Sequence, residues 1–417
     1  MPTRHDRFGH AVTTATPATV EAIDRFTLEV LSHGKEAGAL LAAADADPDC
    51  ALLQAYAGAL YLFLQTAEGL DKAAPYLTRA RGLAHGATER ERLTVAALDA
   101  WGAGRPEQAL DFHRRIAVGW PRDLLNLKLA QIHQLNRGDR AGMRELAEAA
   151  LPHGREHSYS WGMLAFALEQ AGALDAAEDA GRRAVDMNRD DPWAQHAVAH
   201  VLEARGNPEN GLAFLTPLSR TWDRCSSFMY THNWWHAALF RLDMDDAAAS
   251  LALFDTRVWG VRKTYVQDQV NAVSLLSRLE LRGVDVGDRW TDVAAHVLPR
   301  IHDRQNAFLD LHYLYALARA GEIDAVTGML AAMEAYAETA PSPSRPIWSE
   351  VAVPAARALK AHARGRFVEA SAVLGPVLPR MFLLGGSTAQ QTWFQQLHRD
   401  SRMRTERGSS TRPGICA

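Results

Sequence analysis

Apolar and polar positions follow a helical period along nearly the whole chain, with apolar residues returning every three or four positions. Alanine is abundant, whereas β-branched runs and Asn-Gly or Asp-Gly hairpin signals are scarce. The stretch MLAFALEQAGALDAAEDAGRRAVDMNRDDP (163–192) shows the unit: one apolar helix, a glycine, an amphipathic helix, then Pro192, which closes one unit and opens the next. Between helical stretches, Gly104, Gly138, Gly172 and Gly206 recur every 34 residues. Seven positions before them stand Ala97, Gln131, Ala165 and Ala199, and five after them Ala109, Met143, Ala177 and Gly211. Mostly small residues on both flanks suit helices pressed closely together, and glycine suits a helix end that turns left-handed. After Gly206 the phase slips, because Phe240 stands where the next glycine is due. Helix–glycine–helix units return in YALARAGEIDAVTGML (315–330) and ALKAHARGRFVEASAVL (358–374), with Gly321 and Gly365 set 44 apart. AGALYLFLQTAEGLDKAAPYLTRARGLA (57–84) reads as an early unit.

Thirty-four residues is the tetratricopeptide length, two antiparallel helices joined by a tight turn. The expected fold is therefore all-α: a tetratricopeptide-like, right-handed superhelical α-solenoid of stacked antiparallel helix pairs, about 9–12 of them, curled around a central pocket. Residues 1–12 are expected to be a flexible terminus, 13–398 a single continuous solenoid, and 399–417 a disordered tail. Within the solenoid, 87–220 holds the most regular repeats and 221–398 irregular ones. ETAPSPSRPIW (338–348) reads as the long inter-helix loop.

Composition narrows the partners. The 417 residues are 47% hydrophobic and 23% charged, with a formal net charge of −4. No long single-sign run interrupts the body of the chain, so neither nucleic acid nor a membrane is expected as partner. Cys50, Cys225 and Cys416 lie far apart with no CxxC, and the first residues lack an apolar leader core. Both point to a reducing, cytoplasmic setting.

The candidate chemistry lies in two histidine pairs. WAQHAVAHVLE (193–203) carries His196 and His200, and YTHNWWHAALF (230–240) carries His232 and His236. Residues four apart on a helix share a face at about 6 Å. The two segments fall in successive units, so all four imidazoles are placed to converge, with Trp193, Trp234 and Trp235 as aromatic walls. Asp268, or Asp310 and His312 in FLDLHYL (308–314), are candidates to join them. Three readings stand together. The histidines are packing groups. They line a pocket that binds a small molecule or peptide, with His232 or His236 as general base oriented by Asp268 or Asp310. Or they chelate a metal through His196, His200, His232 and His236. The ligand helices lack the carboxylate of HExxH, so neither a metal nor any other cofactor is expected. A pocket protein is the leading reading, and a non-catalytic interaction scaffold with a protein partner is the alternative. Cys225 is weighed as a nucleophile against buried packing, and Ser387 as a helix cap following a Gly-Gly turn. No GxSxG, Walker A or GxGxxG motif occurs.

Several stretches resemble the tetratricopeptide repeat protein 38 family: DPWAQHAVAHVLEARGNPENGLAFL (191–215), THNWWHAALF, LELRGVDVGDRWTDV (279–293) and LLGGSTAQQTWF (383–394). ATERERLTVAALDAWGAGRPEQAL (87–110) falls where that family has a similar segment. The resemblance covers all but the two ends and implies the fold rather than a biochemical role. At Trp161 the sequence departs from the family pattern, and nothing is carried over at that helix.

Overall fold

The computed structural model describes residues 2–410. The described residues form two compact units, one of residues 2–135 with Asp139–Phe240 and one of Asn136–Gly138 with residues 241–410. Each is built of tetratricopeptide-like helix pairs, and the chain is all-α apart from one small hairpin among the described residues.

The first unit opens on that hairpin, β1 (Thr3–His5) and β2 (Ala11–Thr13), paired antiparallel with Thr3 opposite Thr13. It continues through α1 (Pro17–Leu31), α2 (Leu40–Ala46), α3 (Ala51–Leu62), α4 (Ala67–Leu83), α5 (Glu89–Gly102) and α6 (Pro106–Gly119). Then follow α7 (Leu124–Asn136), α8 (Arg140–Gly154), α9 (Ser158–Gln170), α10 (Leu174–Met187), α11 (Pro192–Ala204), α12 (Pro208–Leu215) and α13 (Ser227–Asp243). Within each pair the first helix is buried on nearly every side and the second on one stripe. In α9 every residue from Gly162 to Gln170 is buried, whereas α10 buries only Ala177, Ala180, Gly181 and Ala184. The next first helix, α11, packs on both α9 and α10. Ala165 and Ala177 are fully buried, as their repeat positions require.

The residues expected to be a flexible N-terminus form part of this unit. Val12 is completely buried, and Thr13 donates its backbone N–H (2.7 Å) and its hydroxyl (2.6 Å) to the Glu91 carboxylate. Glu91 also accepts from the Thr88 backbone N–H, closing a capping box at the start of α5. Buried Arg90 meanwhile donates to the Ala11 carbonyl and pairs with Asp123.

The repeat turn is one conformation used many times. Gly104, Gly138, Gly172 and Gly206 have φ of 69°, 67°, 82° and 63°. The residue after each donates its N–H to the carbonyl five positions before it: Arg105 to Ala100, Asp139 to Gln134, Ala173 to Leu168 and Asn207 to Leu202, at 2.9–3.0 Å. That is the helix-ending bond of a Schellman motif. The slip after Gly206 is an insertion and not a loss of the repeat. Asp245 (φ 60°) takes the glycine position, and Asp246 donates to Arg241 at 2.9 Å. The same turn recurs at Gly283, Gly321 and Gly365.

The second unit comprises α14 (Ala247–Leu253), α15 (Val266–Leu281), α16 (Arg289–Val297), α17 (Ala307–Ala320), α18 (Ile323–Thr339), α19 (Val353–Ala363), α20 (Phe367–Val377) and α21 (Thr388–Ser410). The expected long loop at 338–348 is shorter, because helical turns over Arg345–Ile347 and Trp348–Ala352 lead into α19. The expected tail from 399 is helical through Ser410. Ser401 is buried, and Asp400 accepts from His362 Nε2 at 3.0 Å, which ties the helix down. The remainder of that tail, including Cys416, lies outside the described residues. Phe367–Leu384 is the stretch long and apolar enough to cross a membrane among the described residues. It consists of α20 followed by a 3-10 segment, with Pro376 and Pro379 inside it.

Candidate metal centre

The site grows out of α11 and α13. Asp191 caps α11 by accepting the Ala194 N–H at 3.0 Å, and Pro192 fills the first helical position, where no N–H is needed. This fixed start places His196 and His200 one turn apart on the inner face. His232 and His236, each 36 residues further on, do the same on α13.

The four rings converge. One ligand nitrogen from each of His196, His200, His232 and His236 lies within 4.8 Å of all the others. His196 Nε2 is 3.0 Å from Nε2 of His200 and 3.0 Å from Nε2 of His232. Four nitrogens around a tetrahedral zinc ion at about 2.0–2.1 Å stand about 3.3 Å apart, so two of the pairs here, at 3.0 Å, are near that spacing, while the set as a whole spreads to 4.8 Å. The rings are 1%, 1%, 3% and 0% exposed, which makes the group a closed interior site.

Two carboxylates orient the rings. Glu169, at the end of α9, lies 3.3 Å from His200 Nδ1, and Glu203, on α11, lies 2.9 Å from His236 Nδ1. Glu203 hydrogen-bonds the outer nitrogen of His236, whereas Glu169 stands beside that of His200 at ion-pair distance, and Nε2 of His200 turns inward to His196. This is the carboxylate–histidine arrangement that surrounds protein-bound metals. Glu169 and Glu203 are 34 residues apart, each three positions before its turn glycine. The search for a carboxylate on the ligand helix in HExxH spacing passed over them, although the repeat period would have matched one to the other.

Aromatic rings close the site. Phe166 underlies both His196 and His200 with centroids 5.4 Å away. Trp235 stacks on His232 at 5.2 Å, nearly parallel, and Trp193 lies 4.7 Å from His196. Trp234, expected as a wall, packs edge-on against Trp222. Burial, reinforced by the three neighbouring imidazoles and Lys128, holds His196 well below the ordinary histidine range. It is therefore neutral, the form that binds metals. Burial also acts to lower His200, but the adjacent Glu169 carboxylate outweighs it and the net direction is upward.

A third layer surrounds Trp193. Lys128, Gly162 and His196 occupy one repeat position at 34-residue steps. A Cβ at Gly162 would stand 3.3 Å from that of Ala194, so this position allows α9 and α11 to approach closely, and Lys128 Nζ sits 3.3 Å from the centroid of the Trp193 ring. His33 stacks on the same indole at 5.1 Å. Burial pushes Lys128 down to about 7, against the pull of Asp191, and pushes Asp191 up to about 6.

Asp268, Asp310 and His312 belong to the second unit, each buried there. Arg304 pairs with Asp310, whose carboxyl burial nevertheless pushes up to about 7. His312 donates from Nδ1 to the Phe308 carbonyl at 2.8 Å and lies against Trp393. In the first unit the carboxylates that orient the clustered rings are Glu169 and Glu203. Burial pushes the Cys225 thiol up to about 12, which keeps it protonated and argues against a nucleophile. Ser387 caps α21 as expected, with its hydroxyl accepting from Gln390 N–H and the Gln390 side chain accepting from Ser387 N–H.

No protein-family profile matches the chain. Among solved structures it is similar to the APC/C hetero-tetramer Cut9–Hcn1, at 14% identity over 85% of this chain and 63% of that one, with a TM-score of 0.43. It is also similar to the human IFIT1 dimer with PPP-AAAA, at 12% identity over 82% of this chain and 87% of that one, with a TM-score of 0.39. A third likeness is to the P58(IPK) TPR domain, at 11% identity over 78% of this chain and 100% of that one, with a TM-score of 0.22.

Proposed function

We propose that this chain is a metal-binding helical-repeat protein. A divalent transition-metal ion held by His196, His200, His232 and His236 clamps two successive repeats of an interaction scaffold. The observation that carries the reading is the convergence of four ligand nitrogens within 4.8 Å in a buried site. Imidazole suits zinc, copper, nickel and cobalt, and two nearby carboxylates supply the two negative charges that offset a divalent ion. Four protein ligands complete a tetrahedral shell without a position for water, the pattern of structural rather than hydrolytic zinc. Acid–base chemistry by His232 or His236 on a bound substrate would require access that rings at most 3% exposed do not offer. The helix pairs around the clamp are of the kind that present extended surfaces to peptides and proteins.

The test is elemental analysis of the purified full chain after dialysis against each of these metals. About one equivalent is expected, with loss in the His196→Ala, His232→Ala double variant. Less than about a tenth of an equivalent of every metal, in protein that remains folded, overturns the proposal.

A further inference from the structure

The second unit holds an open cavity of about 340 Å³, at the small end of the range for ligand pockets. It lies where three first helices end, α15 at Leu281, α17 at Ala320 and α19 at Ala363, and α21 adds Asp400 and Arg404 to its lining. Its buried polar groups form a chain of hydrogen bonds with one direction. Trp393 Nε1 donates to Ser277 Oγ at 2.8 Å, and the Ser277 hydroxyl in turn bonds the Tyr315 phenol. The phenol oxygen lies 3.2 Å from His362 Nδ1, and His362 Nε2 lies 3.0 Å from Asp400. Burial acts to raise the Asp400 carboxyl, but hydrogen bonds from His362 and Arg404 outweigh it and hold the group below its usual value, so it only accepts. His362 Nε2 must then donate. In the neutral imidazole Nδ1 accepts, and the phenol proton is committed to it. Every proton of the chain is in use, whereas the phenol oxygen takes one of the two bonds it can accept.

The charges around this chain are unequal. Among the described residues the cavity is lined by three carboxylates, Glu280, Asp285 and Asp400, and by two guanidiniums, Arg319 and Arg404. Arg319 pairs with Glu280 at 2.5 Å, and Arg404 Nε with Asp400 at 2.8 Å. Asp285 makes no ion pair among the described residues. It accepts the Gly287 N–H at 2.9 Å and acts at longer range on Arg289, whose guanidinium is paired with Asp255. One carboxylate is therefore left without a matching cation, and three helix C-termini add partial negative charge. Glu280 acts electrostatically on the Tyr315 phenol, which puts these two acceptors near each other. Against the acceptors stands one unmet buried donor, Arg319 Nε. Phe367 offers an aromatic face that already carries the half-exposed Arg404 guanidinium, 5.0 Å from the ring centroid.

We propose that this cavity binds a primary amine with a small apolar body. An ammonium has three donors and no acceptor, which suits the Tyr315 oxygen and the Glu280 carboxylate, and its charge offsets Asp285. The body packs on Leu281, Val284 and Phe367. None of these residues belongs to the histidine centre, so the inference stands or falls apart from the metal reading.

The experiment is calorimetric titration of the full chain, at about pH 8 and so above the ordinary histidine range, with three ligands of similar shape and different charge. These are phenethylamine, phenylalanine and 3-phenylpropionate. Saturable binding of phenethylamine is expected, with phenylalanine weaker and 3-phenylpropionate at least about tenfold weaker. Tyr315→Phe keeps the ring but removes the oxygen, and Asp285→Asn keeps the accepting oxygen for Gly287 but removes the charge. Each is expected to weaken the amine about threefold, with melting within a few degrees of wild type. No binding of phenethylamine overturns the proposal, and so does an anion or zwitterion that binds as tightly as the amine. Wild-type affinity in both variants does the same. Should Tyr315→Phe fail to fold, Asp285→Asn alone decides.

Discussion

Replacing Glu203 with glutamine tests the centre without touching a ligand. The carboxylate lies 2.9 Å from His236 Nδ1 and is 14% exposed, so water replaces it poorly. Glutamine keeps the size and one accepting oxygen but removes the charge that raises the basicity of the ring and offsets the ion. Loss of such a partner typically weakens metal affinity about 10–100-fold, which is about 1.4–2.7 kcal/mol. At fixed excess metal, the stabilisation that binding contributes falls by the same amount, because it scales with the logarithm of metal concentration over Kd. For a unit of this size that is a Tm lower by about 3–10 °C with metal present, and little changed without it. The assay is competition with a chromophoric chelator, paired with thermal melts with and without metal. Glu169→Gln, whose contact is longer at 3.3 Å, is expected to lose less. Affinity within about twofold of wild type, in a variant that melts normally without metal, would refute the second-shell argument.

Other consequences can be checked directly. Lys128→Met removes a buried amine held near pKa 7. Its folded value lies below the unfolded one, so its penalty is greatest below pH 7 and fades as pH rises toward 10.5. The variant is expected to be more stable at pH 7 by up to about 4 kcal/mol, with a flatter alkaline profile in chemical denaturation. Asp191, raised to about 6, binds its proton more tightly in the fold than in the unfolded chain. Stability is therefore expected to fall by up to about 3 kcal/mol as pH rises from 4 to 6, and Asp191→Asn, which still caps, should abolish that slope. A Cβ at Gly211 would stand 2.3 Å from the Phe240 ring, so Gly211→Ala is expected to cost about 1–3 kcal/mol in urea denaturation. Asp245→Gly, which relieves a left-handed residue at φ 60°, is expected to stabilise by about 0.5–1 kcal/mol, read as a higher urea midpoint.

Periodicity made the helix pairs and the regular turns readable, and it failed where residue identity and backbone conformation part company. The phase slipped after Gly206 because an insertion moves the next turn to Asp245, 39 residues on (245 − 206), and because that turn is not a glycine. Asp245 adopts the same left-handed turn with a side chain that tolerates it. The N-terminal residues look like a polar, short terminus. Their order comes from Glu91, 78 residues away, which binds Thr13. The two histidine pairs were visible, but the carboxylates were sought on Asp268 and Asp310 and supplied in this unit by Glu169 and Glu203. Lys128 carried no signal, because an isolated lysine in an apolar helix reads as a surface residue.

The sequence by itself determined what is local: which segments are helical, where glycine ends them, and that His196 with His200, and His232 with His236, share a helix face. These follow from spacing along one chain and the fixed 3.6-residue turn. Tertiary structure alone decided that the two faces meet with nitrogens 3.0 Å apart, that Glu169 reaches across from α9 to His200, and that Lys128 Nζ lies over the Trp193 ring. Those distances depend on how neighbouring helices stack, and stacking is set by the summed packing of many side chains rather than by any motif.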